Sequence, residues 1–388
     1  MVSSPRTVVL LGSTGSIGTQ ALALIKAHPE LFTVTALVAG GGNIPLLIEQ
    51  AKLCKPTVVG SASGDGELLK EALPGVEVII SPRAAEEIAA IPADVTLNAM
   101  TGSIGLRPTL TALQVGNVVA LANKESLVAG GPLVLAAAKP GQLVAVDSEH
   151  SAIAQALRSG SRDEVARLIL TASGGPFRQR RDLSAVTIDE ALNHPTWNMG
   201  PVVTINSATL VNKGLEIIEA HYLFDIPYSK IDAVIHPQSV LHSMVEFIDG
   251  SVIAQASPPN MTLPISLSLD WPHRISGAAP AIDWSQSHTW EFTPIDHVRF
   301  PAIELARRCG EVGGGVPAAF NAANEEAVSA FIQGRISFTE ILEIVDDVVT
   351  TVGGQVSETL HSVDDVSAVE ENARKVAEEF ISRKSSEV

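Results

Sequence analysis

The opening of the chain narrows the fold more than any other stretch. Thr7-Val-Val-Leu-Leu11 is a short, continuous apolar run, as expected of a strand buried on both faces. Gly12-Ser-Thr-Gly-Ser-Ile-Gly18 follows, and an apolar helical pattern continues to about Ala27. Strand, glycine turn and helix form the opening of a dinucleotide-binding α/β domain, in which a tight turn lets backbone amides approach a pyrophosphate. The spacing G-x-x-G-x-x-G is a variant of the usual fingerprint and by itself also fits an ordinary strand-to-helix turn. A second strand is expected over residues 32–38, ending in Ala39-Gly-Gly-Gly-Asn43. No Asp or Glu stands there to hold a ribose 2′-hydroxyl, which favours NADP over NAD. Strand-like runs recur at 57–60, 76–80, 95–99, 118–121 and 143–146, with helix-like runs between them. This alternation predicts an α/β fold with a Rossmann-type parallel sheet.

A length of 388 residues implies two or three domains, and 46% hydrophobic residues provide for a large core. No run approaches the ~18 apolar residues of a membrane span, and Met1 to Arg6 carry no signal-peptide pattern. Cys54 and Cys309 match no metal or redox spacing, so free thiols in a reducing cytoplasm are expected. A net charge of −17 argues against nucleic acid and anionic membranes as partners. An anionic substrate must therefore be held by local donors.

Candidate donors gather at predicted strand ends, where open α/β sheets bind ligands. Asn123, Lys124 and Glu125 follow one strand, and a plain helix cap at Asn123 is the competing reading. Asp147, Ser148 and Glu149 follow the next. In extended chain Asp147 and Glu149 point to one side, which calls for a cation or proton between them. Alternatively they are a helix cap and a carboxylate favoured by the helix dipole. Thr171-Ala-Ser-Gly-Gly-Pro-Phe177 is a strand end entering a tight turn, where Ser173 and backbone amides can receive a phosphate. Arg178, Arg180 and Arg181 read as surface charges. His194-Pro-Thr-Trp-Asn-Met-Gly200 has the composition of a loop that closes over a ligand, although a lone Trp197 also suits a core.

Residues 204–219 carry a helical period. Leu210, Val211, Leu215 and Ile218 share one side, and Thr209, Asn212, Lys213 and Glu216 the other, with Ser207 at the expected N-cap. The polar stripe is either a solvated face or a site for an anion and a metal; Lys213 ahead of Glu216 is the poorer order for helix support. Strands are expected at 231–235 and 240–248, with a hairpin turn at Asp249-Gly250 into 251–256. His236 and His242 read as structural histidines. Residues 258–293 read as a long connection, and the chain from 301 as helical. The last helix shows Val366, Val369, Ala373, Val376 and Phe380 at spacings of 3, 4, 3 and 4, ahead of a frayed tail at 383–388.

Taken together, the motifs at 12–18, 121–128, 146–151, 171–177, 194–200, 206–219 and 235–243 occur in the order found in the 1-deoxy-D-xylulose 5-phosphate reductoisomerase family, which the chain resembles over nearly its whole length. The resemblance implies an NADPH-binding Rossmann domain (1–147), a central α+β catalytic domain with a lid loop (148–274), a linker (275–300) and a C-terminal helical domain (301–388), in a homodimer. It implies that Asp147, Glu149 and Glu216 bind Mg²⁺ or Mn²⁺, with Lys124 and His194 completing the catalytic set. Lys124, Ser148, Glu149, Ser173, His194, Trp197, Ser207, Asn212, Lys213 and Glu216 would hold the substrate. Thr14, Gly15, Ser16, Ile17, Gly40, Gly41, Asn43, Asn123, Glu125 and Gly200 would contact NADPH. Where several family members carry a basic residue before the asparagine, this chain has Gly41 and Gly42, so Asn43 and backbone amides would take the 2′-phosphate.

The implied activity is rearrangement and reduction of 1-deoxy-D-xylulose 5-phosphate to 2-C-methyl-D-erythritol 4-phosphate, in non-mevalonate isoprenoid synthesis. Three carboxylates without a Cys or His cluster suit a hard cation. Two other functions compete with this one. A metal-free dehydrogenase of the aspartate-semialdehyde type needs a cysteine nucleophile, and Cys309 has no partner motif. An NADP-sensing binding module would not need Asp147, Glu149 and Glu216.

Overall fold

Strand β1 (Arg6–Leu11) is fully buried from Val8 to Leu11, and this is why it reads as unbroken apolar sequence. The computed structural model describes residues 4–197, 199–356 and 359–385. Two compact units make up the chain: Met1–Ser126 with Val134–Ser151 and Asn260–Pro280, and Leu127–Leu133 with Ala152–Pro259 and Ala281–Val388.

In the first unit β1 is followed by β2 (Phe32–Ala39), β3 (Val58–Ser61), β4 (Glu77–Ile80), β5 (Val95–Asn98), β6 (Val118–Leu121) and β7 (Leu143–Ala145). Helices α1 (Ser16–Ala27), α2 (Ile44–Cys54), α3 (Gly66–Ala72), α4 (Ala84–Ala89), α5 (Leu106–Gln114) and α6 (Lys124–Ala137) connect successive strands, and α7 (Ser148–Ala156) follows β7. The seven strands pair in parallel in the order β4-β3-β2-β1-β5-β6-β7. The order reverses at β1, so the crevice for a ligand opens beyond the carboxyl ends of β1 and β5. Val8, Leu10, Leu37, Leu97 and Ala120 anchor the core of this unit.

The second unit holds a four-stranded sheet in the order β11-β10-β8-β9. Its strands are β8 (Val165–Ala172), β9 (Ile231–Ile235), β10 (Leu241–Phe247) and β11 (Val252–Ala256). Only β8 and β9 run parallel, and the crossover between them carries α8 (Ile188–Leu192), α9 (Pro201–Ala208) and α10 (Val211–Phe224). The hairpin turn falls at Asp249-Gly250 as expected: Gly250 takes a φ of 83°, and Asp249 Oδ1 accepts from the Ser251 amide at 2.9 Å. His236 and His242 are structural. His236 Nε2 accepts the amides of Val240 and Leu241 at 3.2 and 3.1 Å, and His242 Nε2 bonds the Ser257 carbonyl at 3.2 Å.

The stretch read as a long connection contains a helix, α11 (Thr262–Leu269), which belongs to the first unit. Pro264 and every residue after it to Leu269 are buried. A helix covered on all sides has no polar face, so it shows no period to detect. The chain then supplies the second unit with α12 (Ala302–Val312), α13 (Val316–Ile332), α14 (Glu340–Gly353) and α15 (Val363–Ser385). The α15 stripe is rotated from the expected one. Val366, Glu370, Ala373, Ala377 and Ile381 are buried, while Val369, Val376 and Phe380 pack at its margin. The helix runs on through Ser385, so the part of the expected frayed tail at 383–385 is ordered; residues 386–388 lie outside the described residues.

Candidate active site

The glycines of the first turn are there because side chains would not fit. A Cβ on Gly12, whose φ is +81°, would lie 2.6 Å from the Ala99 carbonyl oxygen, and one on Gly18 would lie 2.4 Å from that of Gly12. The close turn brings Thr14, Gly15, Ser16 and Ile17 to the start of α1, which has no side-chain cap, with Gly15 and Ser16 exposed. Uncapped amides at a helix N-terminus form an anion site. After β2, Gly40 and Asn43 are exposed, while Gly41 (φ +100°) packs against Ser63. Asn43 Oδ1 caps α2 by accepting from the Leu46 amide at 3.1 Å.

At the ends of β6 and β7 the structure brings Lys124 and Asp147 together. Lys124 Nζ donates to Asp147 Oδ2 at 2.8 Å, with both side chains largely buried. Asp147 Oδ1 accepts the Glu149 amide at 3.2 Å and lies 3.4 Å from Nδ1 of the buried His150. Asp147 and Glu149 do not lie together in extended chain as expected, because β7 ends at Ala145 and α7 begins at Ser148. The turn instead brings carboxylate oxygens of Asp147 and Glu149 within 4.8 Å of each other. Ser148 Oγ donates to Glu149. Asn123 is not the side-chain cap expected of it. It occupies the N-cap of α6 but makes no capping bond; its amide donates to the carbonyls of Met100 (3.1 Å) and Gly102 (2.8 Å) and to Glu125 Oε2 (2.9 Å). Sequence reading missed His150, although its spacing of three from Asp147 on a helix was the available signal.

The second unit assembles Ser173, His194 and Ser207. His194 Nε2 lies 3.0 Å from Ser173 Oγ and 3.1 Å from Ser207 Oγ. Its Nδ1 accepts the amides of Thr196 and Trp197 at 3.1 and 2.8 Å, which leaves the ring proton on Nε2. Burial lowers the His194 pKa below its ordinary 6.5, and the charge of Arg178 lowers it further. Gly174 and Gly175 both take positive φ, and Gly175 approaches α9 so closely that a Cβ would lie 2.9 Å from the Ser207 carbonyl oxygen. Trp197 is half-buried, its ring 6.4 Å from that of His242; Gly200 is exposed ahead of α9, and Asn198 lies outside the described residues. Arg178 is half-buried, not the surface charge expected, because the Gly-Gly turn folds its side chain back: Nη1 donates to the Gly175 carbonyl at 3.3 Å.

Residues 204–219 are two helices rather than one. The break falls at Leu210, a buried residue with φ of 64°, so Ser207 lies in the last turn of α9 and is no N-cap. The Thr209 hydroxyl bridges the break, donating to the Ile205 carbonyl at 3.1 Å and accepting from the Val211 amide at 3.3 Å. The polar stripe of α10 is not solvated: Lys213 is 3% exposed and Glu216 1%. Lys213 Nζ and Asn212 Nδ2 both donate to the Glu216 carboxylate. A buried ammonium, amide and carboxylate of this kind are kept where they are hydrogen-bonded to one another or to a ligand.

A glycine turn at the switch point of a parallel sheet makes the first unit a Rossmann-type dinucleotide-binding domain. At neighbouring strand ends the same unit carries the Lys124–Asp147 pair and the Glu149 carboxylate. Comparison with known proteins carries this class to a family. The chain matches the 1-deoxy-D-xylulose 5-phosphate reductoisomerase family model over residues 8–131, the model of that enzyme's C-terminal domain over 143–224, and the DXP reductoisomerase C-terminal domain model over 256–376. The 1-deoxy-D-xylulose 5-phosphate reductoisomerase of Paenarthrobacter aurescens is 57% identical over 92% of this chain and 94% of its own, and that of Streptomyces coelicolor 54% over 97% and 93%. Among solved structures, the reductoisomerase from Zymomonas mobilis in complex with NADPH aligns with a TM-score of 0.90 at 42% identity, covering 97% of this chain and 99% of its own. A DOX-P reductoisomerase in complex with NADPH, fosmidomycin and magnesium aligns at 0.89 and 34% identity, covering 97% and 98%. The chain belongs to the 1-deoxy-D-xylulose 5-phosphate reductoisomerase family. Its cysteines agree: Cys309 is buried with its thiol pushed up to about 12, which removes it as a nucleophile and with it the semialdehyde-dehydrogenase rival.

Proposed function

We propose that this protein catalyses the NADPH- and divalent-metal-dependent conversion of 1-deoxy-D-xylulose 5-phosphate to 2-C-methyl-D-erythritol 4-phosphate, in the non-mevalonate route to isoprenoid precursors. The observation that carries the reading is the full-length family match together with the Lys124–Asp147 pair at the strand ends. Asp147, Glu149 and Glu216 would hold the cation. They offer hard carboxylate oxygens, Asp147 and Glu149 stand close enough for a shared ion, and Glu216 is a buried carboxylate already gathering cationic and amide donors. A Mg²⁺ or Mn²⁺ ion so held supplies Lewis acidity toward the ketose oxygens, and NADPH supplies the hydride.

The rest falls to the chain's own groups. The Lys124 ammonium adds fixed positive charge where negative charge develops on the substrate oxygens. Ser148 holds the Glu149 carboxylate in place. Ser173, Ser207, Asn212, Lys213 and the Nε2–H of His194 receive the phosphate, and the loop bearing Trp197 covers it. That remote binding energy orders the loop and excludes water. Thr14 to Ile17 take the pyrophosphate; Gly40, Gly41 and Asn43 face the adenosine end, and Asn123, Glu125 and Gly200 the remainder of the cofactor. NADPH consumption, followed by absorbance, must require both deoxyxylulose phosphate and divalent metal. Absence of consumption with all three present overturns the reading.

A homodimer is part of the same proposal. Strand β11 is the open edge of its sheet, and Ile248, Val252 and Ile253 are exposed along the hairpin, an edge that pairing across a two-fold axis would cover. Light scattering at micromolar concentration tests it, and a monomer refutes it. A cytoplasmic location rests on the free thiols of Cys54 and Cys309; among the described residues no helix is long and apolar enough to cross a membrane.

A further inference from the structure

Two buried side-chain amides join α9 to α13, and the chemistry described above uses neither. Asn206 stands in the last turn of α9, immediately before Ser207, and is 6% exposed; Asn324 stands in α13 and is fully buried. Asn324 Nδ2 donates to Asn206 Oδ1 at 3.0 Å. The two residues are 118 apart in sequence, so this bond ties the helix that bears Ser207 to the C-terminal helices.

Packing alone does not account for the pair. Replacing both partners of a buried hydrogen bond by apolar groups of the same shape is nearly neutral for stability. Asn324 Oδ1 is buried with no hydrogen-bond partner among the described residues, so the position carries a desolvation cost that leucine would not. A directional bond supplies what an apolar contact does not, a fixed rotation of one helix against another. Helix α9 needs one. It is 8 residues long, has no side-chain cap at its start, and ends at the Leu210 break instead of running on into α10. Helix α13 is a firm reference, with Phe320, Ala323 and Ala327 fully buried.

The rotation matters because Ser207 Oγ meets His194 Nε2 at 3.1 Å. Cα atoms lie ~2.3 Å from a helix axis and side-chain atoms farther out, so turning α9 by about 20° displaces that hydroxyl by about 1 Å. A hydrogen bond does not survive such a shift.

We infer that Asn324 is a positioning residue for the substrate's phosphate: through Asn206 it sets the rotation of α9 that aims the Ser207 hydroxyl into the pocket. The inference rests on the proposed phosphate role of Ser207. It makes the C-terminal helices part of substrate recognition, although the proposed site draws no side chain from them.

The test uses the full-length protein with Mg²⁺ and NADPH. Two constants are read: the KM for deoxyxylulose phosphate, and the dissociation constant of inorganic phosphate by calorimetry. In Asn324→Leu both rise roughly three- to tenfold, the range of one net hydrogen bond, while the KM for NADPH stays unchanged. Ser207→Ala also raises both, and adding Asn324→Leu to it raises neither by more than about twofold, because the hydroxyl being aimed is gone. Asn206→Leu combined with Asn324→Leu restores an apolar contact between the helices. That protein melts no lower than Asn324→Leu and still shows the raised constants; if Asn324→Leu does not fold, this variant carries the test. Unmoved constants in Asn324→Leu, effects of Asn324→Leu and Ser207→Ala that multiply when combined, or wild-type constants in the double leucine variant each overturn the inference. If the wild-type protein binds phosphate but does not turn over deoxyxylulose phosphate, the functional reading fails, and the phosphate constants still decide the role of Asn324.

Discussion

Replacing Asp147 by Asn separates the charge of this residue from its shape. Three effects are distinguishable. Asp147 Oδ1 accepts the Glu149 amide at the start of α7, and Asn caps a helix about as well as Asp, so that loss is a few tenths of a kcal/mol at most. The pair with Lys124, at 2.8 Å and with side chains 14% and 12% exposed, is a charge-assisted bond worth about 1.5–3 kcal/mol. Its weakening lowers stability by no more than that, which a fold of ordinary stability, about 5–15 kcal/mol, survives. The third effect is catalytic. If Asp147 shares a divalent cation with Glu149 and Glu216, the variant forfeits a Lewis-acid contribution of several kcal/mol, and each ~1.4 kcal/mol is tenfold in rate. Turnover at saturating Mg²⁺ therefore drops by at least ~10³. NADPH affinity, read by fluorescence, holds, because the pyrophosphate turn at Gly12 to Gly18 makes no use of Asp147. A variant that keeps more than about a tenth of wild-type turnover shows Asp147 to be a helix cap and refutes the metal assignment. Parallel collapse of turnover and NADPH affinity shows a structural role for Asp147, and the metal assignment is then decided by direct Mn²⁺ binding to the variant.

The cofactor preference is NADPH over NADH, because β2 ends in Ala39 and glycines instead of a carboxylate; steady-state kinetics favouring NADH contradict this. His194 leaves a signature in the pH dependence of stability. Burial, then Arg178, puts its folded pKa below the ordinary 6.5, so the unfolded chain takes up the proton first. Its contribution is complete above about 6.5 and is lost as the pH falls through the folded value. Denaturation midpoints across about pH 5–8 show a shallower acid-side decline in His194→Gln, and an unchanged decline contradicts the assignment. Trp197 reports closure of its loop, so Trp197→Phe removes most of any ligand-induced fluorescence change; a full change in that variant places the signal on another tryptophan.

Much of this protein is written locally. Gly12 and Gly18 are dictated by a turn too tight for a Cβ, and the buried strands announce themselves as apolar runs, so the parallel sheet and its ligand crevice follow from the chain itself. The order of the motifs carried the family, and the residues at 123–125, 147–149 and 173 stand at strand ends as their spacing indicated. What escaped is what depends on neighbours distant in sequence. Leu210 takes a left-handed conformation beside the Thr209 hydroxyl and within a packed core, and that break leaves Ser207 in the last turn of α9 instead of at a cap. The stripe of α10 is buried rather than solvated because other elements cover it, which no helical period reveals. Helix α11 was invisible because Pro264 to Leu269 are all buried, its serines included, so no polar face marks a period. Arg178, expected as a surface charge, is half-buried because the Gly174-Gly175 turn folds its side chain back onto the Gly175 carbonyl. Backbone preference and burial pattern are properties of a residue and its near neighbours. The environment of a charge is set by whatever the fold packs around it, and only the tertiary structure decides that.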